Sequence, residues 1–359
     1  MDTFIPISQP SIGEKELAYV SDAVRSGWVS SLGPYIESFE RKFAAFCGSR
    51  FALTASNGTT ALHLALLAAG IEAGDEVIVP DLTFIATANA AAYIGARPVL
   101  VDIDVETLCI SPAAIERAIT PKTRAIVPVH LYGHPADMDP INAIAEKHGL
   151  VVIEDAAEAH GAEYRGRRVG TLGKCAVFSF YGNKVITSGE GGMITTDDEA
   201  LYTKAKRLRD HAMSPDKRYW HEEIGYNYRM TNLQAALGVA QLERIDAFMA
   251  QRRDVVGWYR EALAHRRRNV YCMVCVEVEG MGDAGRQHLM GELRKRGVDS
   301  RPYFYPISDM PMYGSADTPV AHRVSHSGIN LPSFTDLTRE QVLHICAQLE
   351  AVLPADAAR

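Results

Sequence analysis

The sequence lacks any apolar run long enough to cross a membrane, which excludes a helical span. Its first residues, MDTFIPISQPSIGEKE, carry early acidic groups and no apolar core of a leader, so no secretory signal is expected. No internal repeat and no low-complexity segment interrupts it. Cysteine is sparse, with six scattered over 359 residues, and this suits a reducing cytoplasm. Cys272 and Cys275 form a lone C-x-x-C inside the strand-like YCMVCVEVE. Residues three apart on a strand face opposite sides, so packing is the better reading than metal or redox chemistry, and no metal is expected. Positive charge is in deficit too. A net charge of -7 argues against general nucleic-acid binding. The densest basic run, 265–268, is short and follows a helix-like segment, so it reads as a solvated helix end.

What is present is an α/β rhythm. The length allows one large domain and a smaller one, and 47% hydrophobic residues supply a substantial core. Strand-like runs fall at 51–55, 76–80, 98–102, 125–129, 151–155, 176–180 and 192–196. Helical patterns at 59–69, 87–94, 112–118 and 139–148 lie between most of them. This alternation predicts a largely parallel, buried sheet. The last two strands are separated only by a short loop, so they either pair antiparallel or sit apart. From Asn232 a long helical pattern runs to His265, with apolar spacing of three and four. It bridges to a smaller unit with a strand near 271–277, a helix near 286–296, a Pro- and Tyr-rich loop near 301–313 and a final helix from Arg339. The expected division is 1–245 and 246–359.

Chemistry concentrates in VFSFYGNKVITSGEGG. Lys184 stands there in a loop between two strand-like runs, with no acidic residue within five positions on either side. In a dry site its amine loses a proton more easily and becomes the nucleophile of a Schiff base. For an isolated lysine the ordinary reading is a surface residue; other features weigh against it here. Ser56-Asn57-Gly58-Thr59-Thr60 follows a strand and opens an apolar helix, a credible phosphate cradle or, taken alone, a plain helix cap. Val151–Asp155 is an apolar strand ending in two carboxylates, and Asp155 there suits a cation such as a protonated pyridine nitrogen, unless it is a cap or a metal ligand. Ser179, just before the lysine loop, can reach the same phosphate or simply satisfy a strand end. Asn227 and Arg229 precede a helix and can bind oxyanions or make loop hydrogen bonds. Together these features appear in the order that a pyridoxal phosphate (PLP) site requires.

One motif competes. Gly280, Gly282 and Gly285 spell G-x-G-x-x-G after a strand-like run, with Asp299 at about the ribose-binding spacing of ~20. The second strand is too short and too few residues follow for a dinucleotide domain. A Gly-rich turn is the better reading, and a nicotinamide-dependent oxidoreductase the weaker alternative.

With these residues laid out, the chain resembles the DegT/StrS-type sugar-nucleotide aminotransferases along nearly its whole length. The likeness lies in SGWVSSLGPYIESFE, NGTTALHLAL, VIEDAAEAHGAEYRG, FSFYGNKVITSGEGGM and GYNYRMTNLQAA, and it is nearest to the branch that forms GDP-perosamine. The resemblance implies the PLP-dependent aminotransferase fold, type I. That is a large domain with a mixed, mostly parallel seven-stranded sheet and a smaller C-terminal α+β domain. It implies that Lys184 holds PLP covalently and shuttles the proton, and that Asp155 keeps the pyridine nitrogen protonated. Phe84 stacks on the ring and Glu158 lies near the ring hydroxyl. Gly58, Thr59 and Ser179 hold the phosphate, and Asn227 reaches it from the neighbouring subunit of a homodimer. A lysine-to-histidine branch of the family dehydrates instead, and Lys184 argues against that outcome. The implied reaction moves the amine of L-glutamate to C4 of GDP-4-keto-6-deoxy-D-mannose, for O-antigen synthesis in the cytoplasm. Trp28, Ser31, Arg229, Tyr303, Tyr305 and Tyr313 are the candidate substrate contacts; for the tyrosines aromatic packing is an equal reading. The alternatives are an aminotransferase for another nucleotide sugar, such as a dTDP sugar, and a non-catalytic PLP-binding regulator. Between Ala264 and Tyr271 the chain is shorter than these relatives, which bears on the nucleotide end of the site.

Overall fold

The computed structural model describes residues 4–263, 273–278 and 280–353. The basic run 265–268, Cys272, the shortened 264–271 segment and the start of the strand expected near 271 lie outside the described residues.

Two helices come first, α1 (Glu14–Arg25) and α2 (Pro34–Cys47). The alternating region follows: β1 (Phe51–Ala55), α3 (Gly58–Ala68), β2 (Glu76–Pro80), α4 (Ala86–Tyr93), β3 (Arg97–Val101), α5 (Pro112–Ala118), β4 (Thr123–Ile126), α6 (Met138–His148) and β5 (Val151–Asp155). A short hairpin, β6 (Glu163–Tyr164) and β7 (Arg167–Arg168), leads to β8 (Cys175–Ser179), β9 (Gly192–Thr196) and α7 (Glu199–Arg209). Then come α8 (Asn232–Leu242), α9 (Ile245–Ala262), β10 (Val274–Glu277), α10 (Gly282–Lys295), β11 (Arg301–Pro302), α11 (Pro319–Ser327), β12 (Gly328–Leu331) and α12 (Arg339–Val352).

Seven strands form one sheet in the order β1-β9-β8-β5-β4-β2-β3. Only β9 is reversed, pairing antiparallel with β1 and β8 on either side. The rest run parallel. Every residue of β2, β8 and β9 is buried, as strands covered on both faces must be. These are the seven strands expected, and the two flanking Lys184 do pair antiparallel. The fourth ends at Ile126, short of the expected 129. Pro128 has no N–H for the ladder, although Val129 still bridges to Asp155.

The single helix expected from Asn232 is two helices. Arg244 leaves helical geometry with φ -109° and ψ 0°. Neighbouring polar demands hold the break. Glu243 accepts from Lys15 and Tyr19, each at 2.9 Å, and from Lys42. Arg244 grips both oxygens of Glu16 at 2.8 Å. The apolar spacing runs on across the break, so periodicity alone did not show it.

A second sheet, β10-β12-β11, is antiparallel throughout. Val274, Val276, Ile329 and Leu331 pack there with Tyr259, Leu293 and Ile345 of the surrounding helices. This topology disposes of the glycine motif. Helix α10 starts inside it, but the next strand has two residues and is separated from β10 by β12, so the adjacent parallel strands of a dinucleotide-binding unit are not formed. Asp299 instead accepts the Ile7 N–H at 3.3 Å.

Under the large sheet, Phe39 and Phe43 of α2 meet Phe180 at 4.8 and 5.3 Å, and Phe43 meets Phe178 at 4.9 Å. Burying each such ring contributes about 1.5–3 kcal/mol. The cluster fixes the end of β8, and with it Ser179 and the entry to the lysine loop.

Candidate active site

The carboxyl ends of β1, β2, β5 and β8 converge on one rim, where parallel sheets offer ligands a crevice. Residues from each line a cavity of about 760 Å³. At β1 the chain turns into α3 through Asn57, whose Oδ1 accepts the Thr60 N–H at 2.9 Å. Ser56 Oγ lies 3.0 Å from Thr60 Oγ1. The helix start brings unpaired amides and a positive dipole end to this rim. The strand tips are pressed together here. A Cβ on Gly58 would lie 2.9 Å from the Ser179 Cβ, and one on Gly192 would lie 2.3 Å from the Asn57 carbonyl oxygen. Only glycine fits at either place, and Gly58, Thr59 and Ser179 therefore share one wall of the cavity.

Asp155 ends β5 and is 5% exposed. Its Oδ2 accepts the Thr87 hydroxyl at 2.7 Å and its Oδ1 the Ala157 N–H at 3.1 Å. Burial pushes its carboxyl above the usual range, against those two bonds and the nearby Lys184 charge. A dry carboxylate of this kind favours a cationic partner.

Lys184 stands in a loop tied back to the strand end. Its N–H donates to the Tyr181 carbonyl at 3.0 Å, and Ser188 N–H and Thr187 Oγ1 both donate to the Phe180 carbonyl. The Lys184 Nζ lies 3.0 Å from Glu158 Oε1, with both side chains largely buried. The absence of acid near Lys184 in sequence is thus reversed in space, because the turn after β5 delivers Glu158. The second Glu158 oxygen accepts the Tyr132 N–H at 3.1 Å. Beyond Glu158 lies His160, which burial drives down to about 3, helped by the Lys184 and Arg252 charges, so its ring is neutral at pH 7. Phe84, from the loop after β2, lines the cavity while 56% exposed, with Phe304 at 5.9 Å.

This donor set fits PLP. An amine on a fixed loop matches an aldehyde, and a dry carboxylate matches a ring nitrogen that must carry a proton. A helix N-terminus with hydroxyls and a glycine-only wall matches a phosphate, and an exposed aromatic face matches a flat ring.

Of the residues singled out from sequence, Asn57, Gly58, Thr59, Thr60, Phe84, Asp155, Glu158, Ser179 and Lys184 line the one cavity. The others stand outside its lining. Asn227 accepts the Arg229 Nε–H at 3.0 Å, and Arg229 pairs with Asp210 at 2.8 Å. Trp28 is half exposed, and its carbonyl accepts from Asn232 at 2.8 Å. Ser31 is partly buried nearby. Tyr305 is partly exposed beneath the Arg286 guanidinium, 5.0 Å away, and Tyr313 donates to Asn89. Tyr303 packs into the core, fully buried, with its ring against Gly328 and 5.5 Å from Tyr132. Packing, the equal reading for the tyrosines, describes its place.

Sequence reasoning passed over Arg301, Phe304 and Asn330, which close the cavity from the second sheet. Arg301 and Asn330 are register partners on β11 and β12. No ion pair is formed by Arg301 among the described residues. The run SRPYFYP drew attention for its tyrosines, and nothing in it marks the arginine as the residue that meets the cavity.

The DegT/DnrJ/EryC1/StrS aminotransferase family model matches residues 10–350. The chain is 48% identical to the GDP-perosamine synthase of Caulobacter vibrioides, covering 97% of this chain and 98% of that protein. It is 46% identical to the GDP-perosamine synthase of Escherichia coli O157:H7, over 96% and 98% of the two chains. Among solved structures it resembles the PLP form of a putative sugar aminotransferase from Streptococcus pneumoniae. That match has a TM-score of 0.92 at 29% identity and covers 98% of this chain and 100% of that one.

Proposed function

This chain belongs to the DegT/DnrJ/EryC1/StrS aminotransferase family, and from that premise we propose that it makes GDP-perosamine. The amino group of L-glutamate passes to the C4 keto carbon of GDP-4-keto-6-deoxy-D-mannose, and 2-oxoglutarate leaves. The product is a precursor for O-antigen. One observation carries the catalytic reading: Lys184, Glu158, Asp155 and the Gly58–Thr59–Ser179 wall meet in a single cavity. The two synthases at 48% and 46% identity support the choice of sugar.

When bound, PLP supplies an electron-withdrawing ring that stabilises negative charge at the substrate carbon carrying nitrogen. The chain does the rest. Asp155 favours the proton on the ring nitrogen, and Thr87 and the Ala157 N–H keep the carboxylate aimed. Gly58, Thr59 and Ser179 would hold the phosphate, Phe84 would cover the ring, and Glu158 would serve the ring hydroxyl. Lys184 would hold the cofactor between turnovers; its freed amine would take the proton from the glutamate α-carbon in one half of the reaction and deliver a proton to C4 of the sugar in the other. Glu158 steadies the charge that this amine carries. Arg301 offers a cation to the anionic groups of the substrates that enter this cavity.

The active unit is a homodimer with shared sites. Asn227 and Arg229 lie outside their own chain's cavity, and the nearby loop leaves Tyr219, Trp220 and Ile224 50–83% exposed. This supports Asn227 reaching the partner's cofactor phosphate. We divide the chain into a PLP-binding domain, 1–245, and a small domain, 246–359, whose sheet closes the cavity. No helix of the described residues is long and apolar enough to cross a membrane, and the enzyme's place is the cytoplasm.

The test begins with colour. Purified protein should be yellow, lose its visible band on borohydride and carry the label on Lys184. A colourless protein that gains no band with added PLP would reject the reading. Amino transfer from glutamate to GDP- and dTDP-linked 4-keto sugars then decides the sugar. Equal or better turnover of the dTDP sugar rejects perosamine in favour of another sugar nucleotide.

A further inference from the structure

Tyr132 has a backbone that bulky residues rarely adopt, with φ +53° and ψ +21°. It is also fully buried. Such a conformation persists only where the surroundings over-determine it, and its contacts show what does so here. The Tyr132 N–H donates to Glu158 Oε2 at 3.1 Å, while the other Glu158 oxygen meets Lys184 Nζ at 3.0 Å. The Tyr132 phenol oxygen accepts the Phe304 N–H at 3.0 Å. Its ring stacks on the Phe304 ring, 5.4 Å away and tilted 23°. Phe304 and Arg301 belong to the segment that closes the cavity from the second sheet. One residue therefore touches the lysine's counter-ion with its amide and the closing segment with its phenol. A turn to ordinary right-handed geometry would swing the side chain relative to the amide and break one of those contacts.

We propose that Tyr132 is a positioning residue that ties the seating of the 301–304 segment over the cavity to the orientation of the Glu158 carboxylate, and so to the Lys184 amine. The inference rests on the reading that Lys184 carries PLP. Seating Phe304 fixes the Tyr132 ring, the ring fixes the amide, and the amide holds Glu158 with its free oxygen toward Lys184. The other charged or titratable groups around the pair include Asp155 at the end of β5, the neutral His160, Arg252 and Arg253 of α9, and Tyr181, Glu190 and Arg301 of the shared cavity. Arg252 and Arg253 line a second cavity, of about 390 Å³, that also reaches Glu158. A phenylalanine at 132 alters none of these groups.

The experiment is a pH titration of the visible band of PLP-loaded protein. It compares the wild type with Tyr132→Phe, Phe304→Leu, Glu158→Gln and the double variant Tyr132→Phe/Glu158→Gln. A well-aimed Glu158 favours positive charge on the lysine nitrogen. Tyr132→Phe and Phe304→Leu should each move the midpoint down by about half a unit or more, roughly threefold in proton affinity. Glu158→Gln should move it further, and adding Tyr132→Phe to that variant should move it no more. Unmoved midpoints with only a lower melting temperature would reduce Tyr132 to a packing residue. An equal shift in the Glu158→Gln background would show that it acts by another route. Either result overturns the proposal. Should Tyr132→Phe fail to fold, Phe304→Leu carries the same test. A wild type with no borohydride-sensitive band overturns the Lys184 reading and this inference together. A normal band with unmoved midpoints overturns this inference alone.

Discussion

At one end of the cavity, Gly58, Asp155 and Ser179 stand at or just past the tips of strands whose residues are nearly all buried. At the other end, Arg301 and Asn330 stand on a three-stranded sheet in which one strand has two residues. The first end is held by a mixed ladder, antiparallel through β9 and parallel from β8 to β5, and by an aromatic core. The second is held by a few specific ties, such as Ser308 N–H to Asp81 at 2.8 Å and Phe304 N–H to Tyr132 at 3.0 Å. A rigid rim suits a cofactor that stays in place. A lightly tied wall suits substrates that enter and leave in turn. Chemistry and substrate choice are thus placed on parts of the chain with different mechanical character, and substitutions should separate them.

The largest separation should come from Lys184→Ala. Removing the amine that moves the proton should lower turnover by roughly 10³-fold or more. The fold should survive, because the loop is tied through backbone groups and Thr187 rather than through the lysine side chain. Steady-state turnover and a thermal melt check this together. A variant that keeps more than a tenth of wild-type turnover would move the chemistry away from the strand-tip end.

Arg301→Gln tests the opposite end. Loss of a charge-assisted hydrogen bond costs about 1.5–3 kcal/mol, so KM for at least one substrate should rise roughly tenfold or more. The visible band and its borohydride sensitivity should stay as in the wild type. Kinetics run separately with varied glutamate and varied nucleotide sugar show which anion the guanidinium meets. Unchanged KM for both would leave the second sheet without a binding role at this residue.

The same contrast explains what was legible in the sequence. Cofactor residues follow strands, so the apolar runs that reveal strands also point to Asp155, Ser179 and Lys184. The strands of the large sheet were readable mainly for that reason: β2, β8 and β9 are buried along their whole length, and a strand buried on both faces is a continuous apolar signal, while the partly exposed β3 still keeps an apolar run. Arg301 could not be found this way. It reaches the cavity through the pairing of β11 with β12, and that pairing has no signature in a two-residue strand. The contact of Glu158 with Lys184 was not readable from spacing either, since it depends on β5 and β8 lying side by side; only the family resemblance had put both at the cofactor. Periodicity likewise ran through the break between α8 and α9, because side chains of α1 and α2 set that break rather than local sequence.

Gly58→Ala probes the rigid rim more gently. The new methyl would lie 2.9 Å from the Ser179 Cβ, so one strand tip must shift. The expected outcome is PLP affinity weakened about tenfold, corresponding to about 1.4 kcal/mol, with turnover at saturating PLP reduced less. Equilibrium titration of PLP into apo protein measures it. An unchanged affinity would mean that the rim yields as readily as the opposite wall.

The smallest effect expected is on acid stability, and here two carboxyls have opposite signs. At the rim, burial raises the Asp155 carboxyl above its ordinary value. Without PLP, its contribution is present at low pH and lost as pH rises through that raised value. At the α8–α9 break, burial alone would raise Glu243, but hydrogen bonds from Lys42, Lys15 and Tyr19 outweigh it and hold it at about 2. Its contribution is therefore present above the unfolded value near 4.5 and is lost as pH falls toward 2. Melting curves of apo protein between pH 2 and 7 separate the two. Glu243→Gln should lower Tm by a few degrees at pH 6 and make little difference near pH 2. Asp155→Asn should raise apo Tm at neutral pH while weakening PLP binding. If Asp155→Asn instead lowered apo Tm at pH 7, the rim carboxylate would be a structural anchor before it is a cofactor ligand, and the division between a rigid rim and a working wall would have to be redrawn.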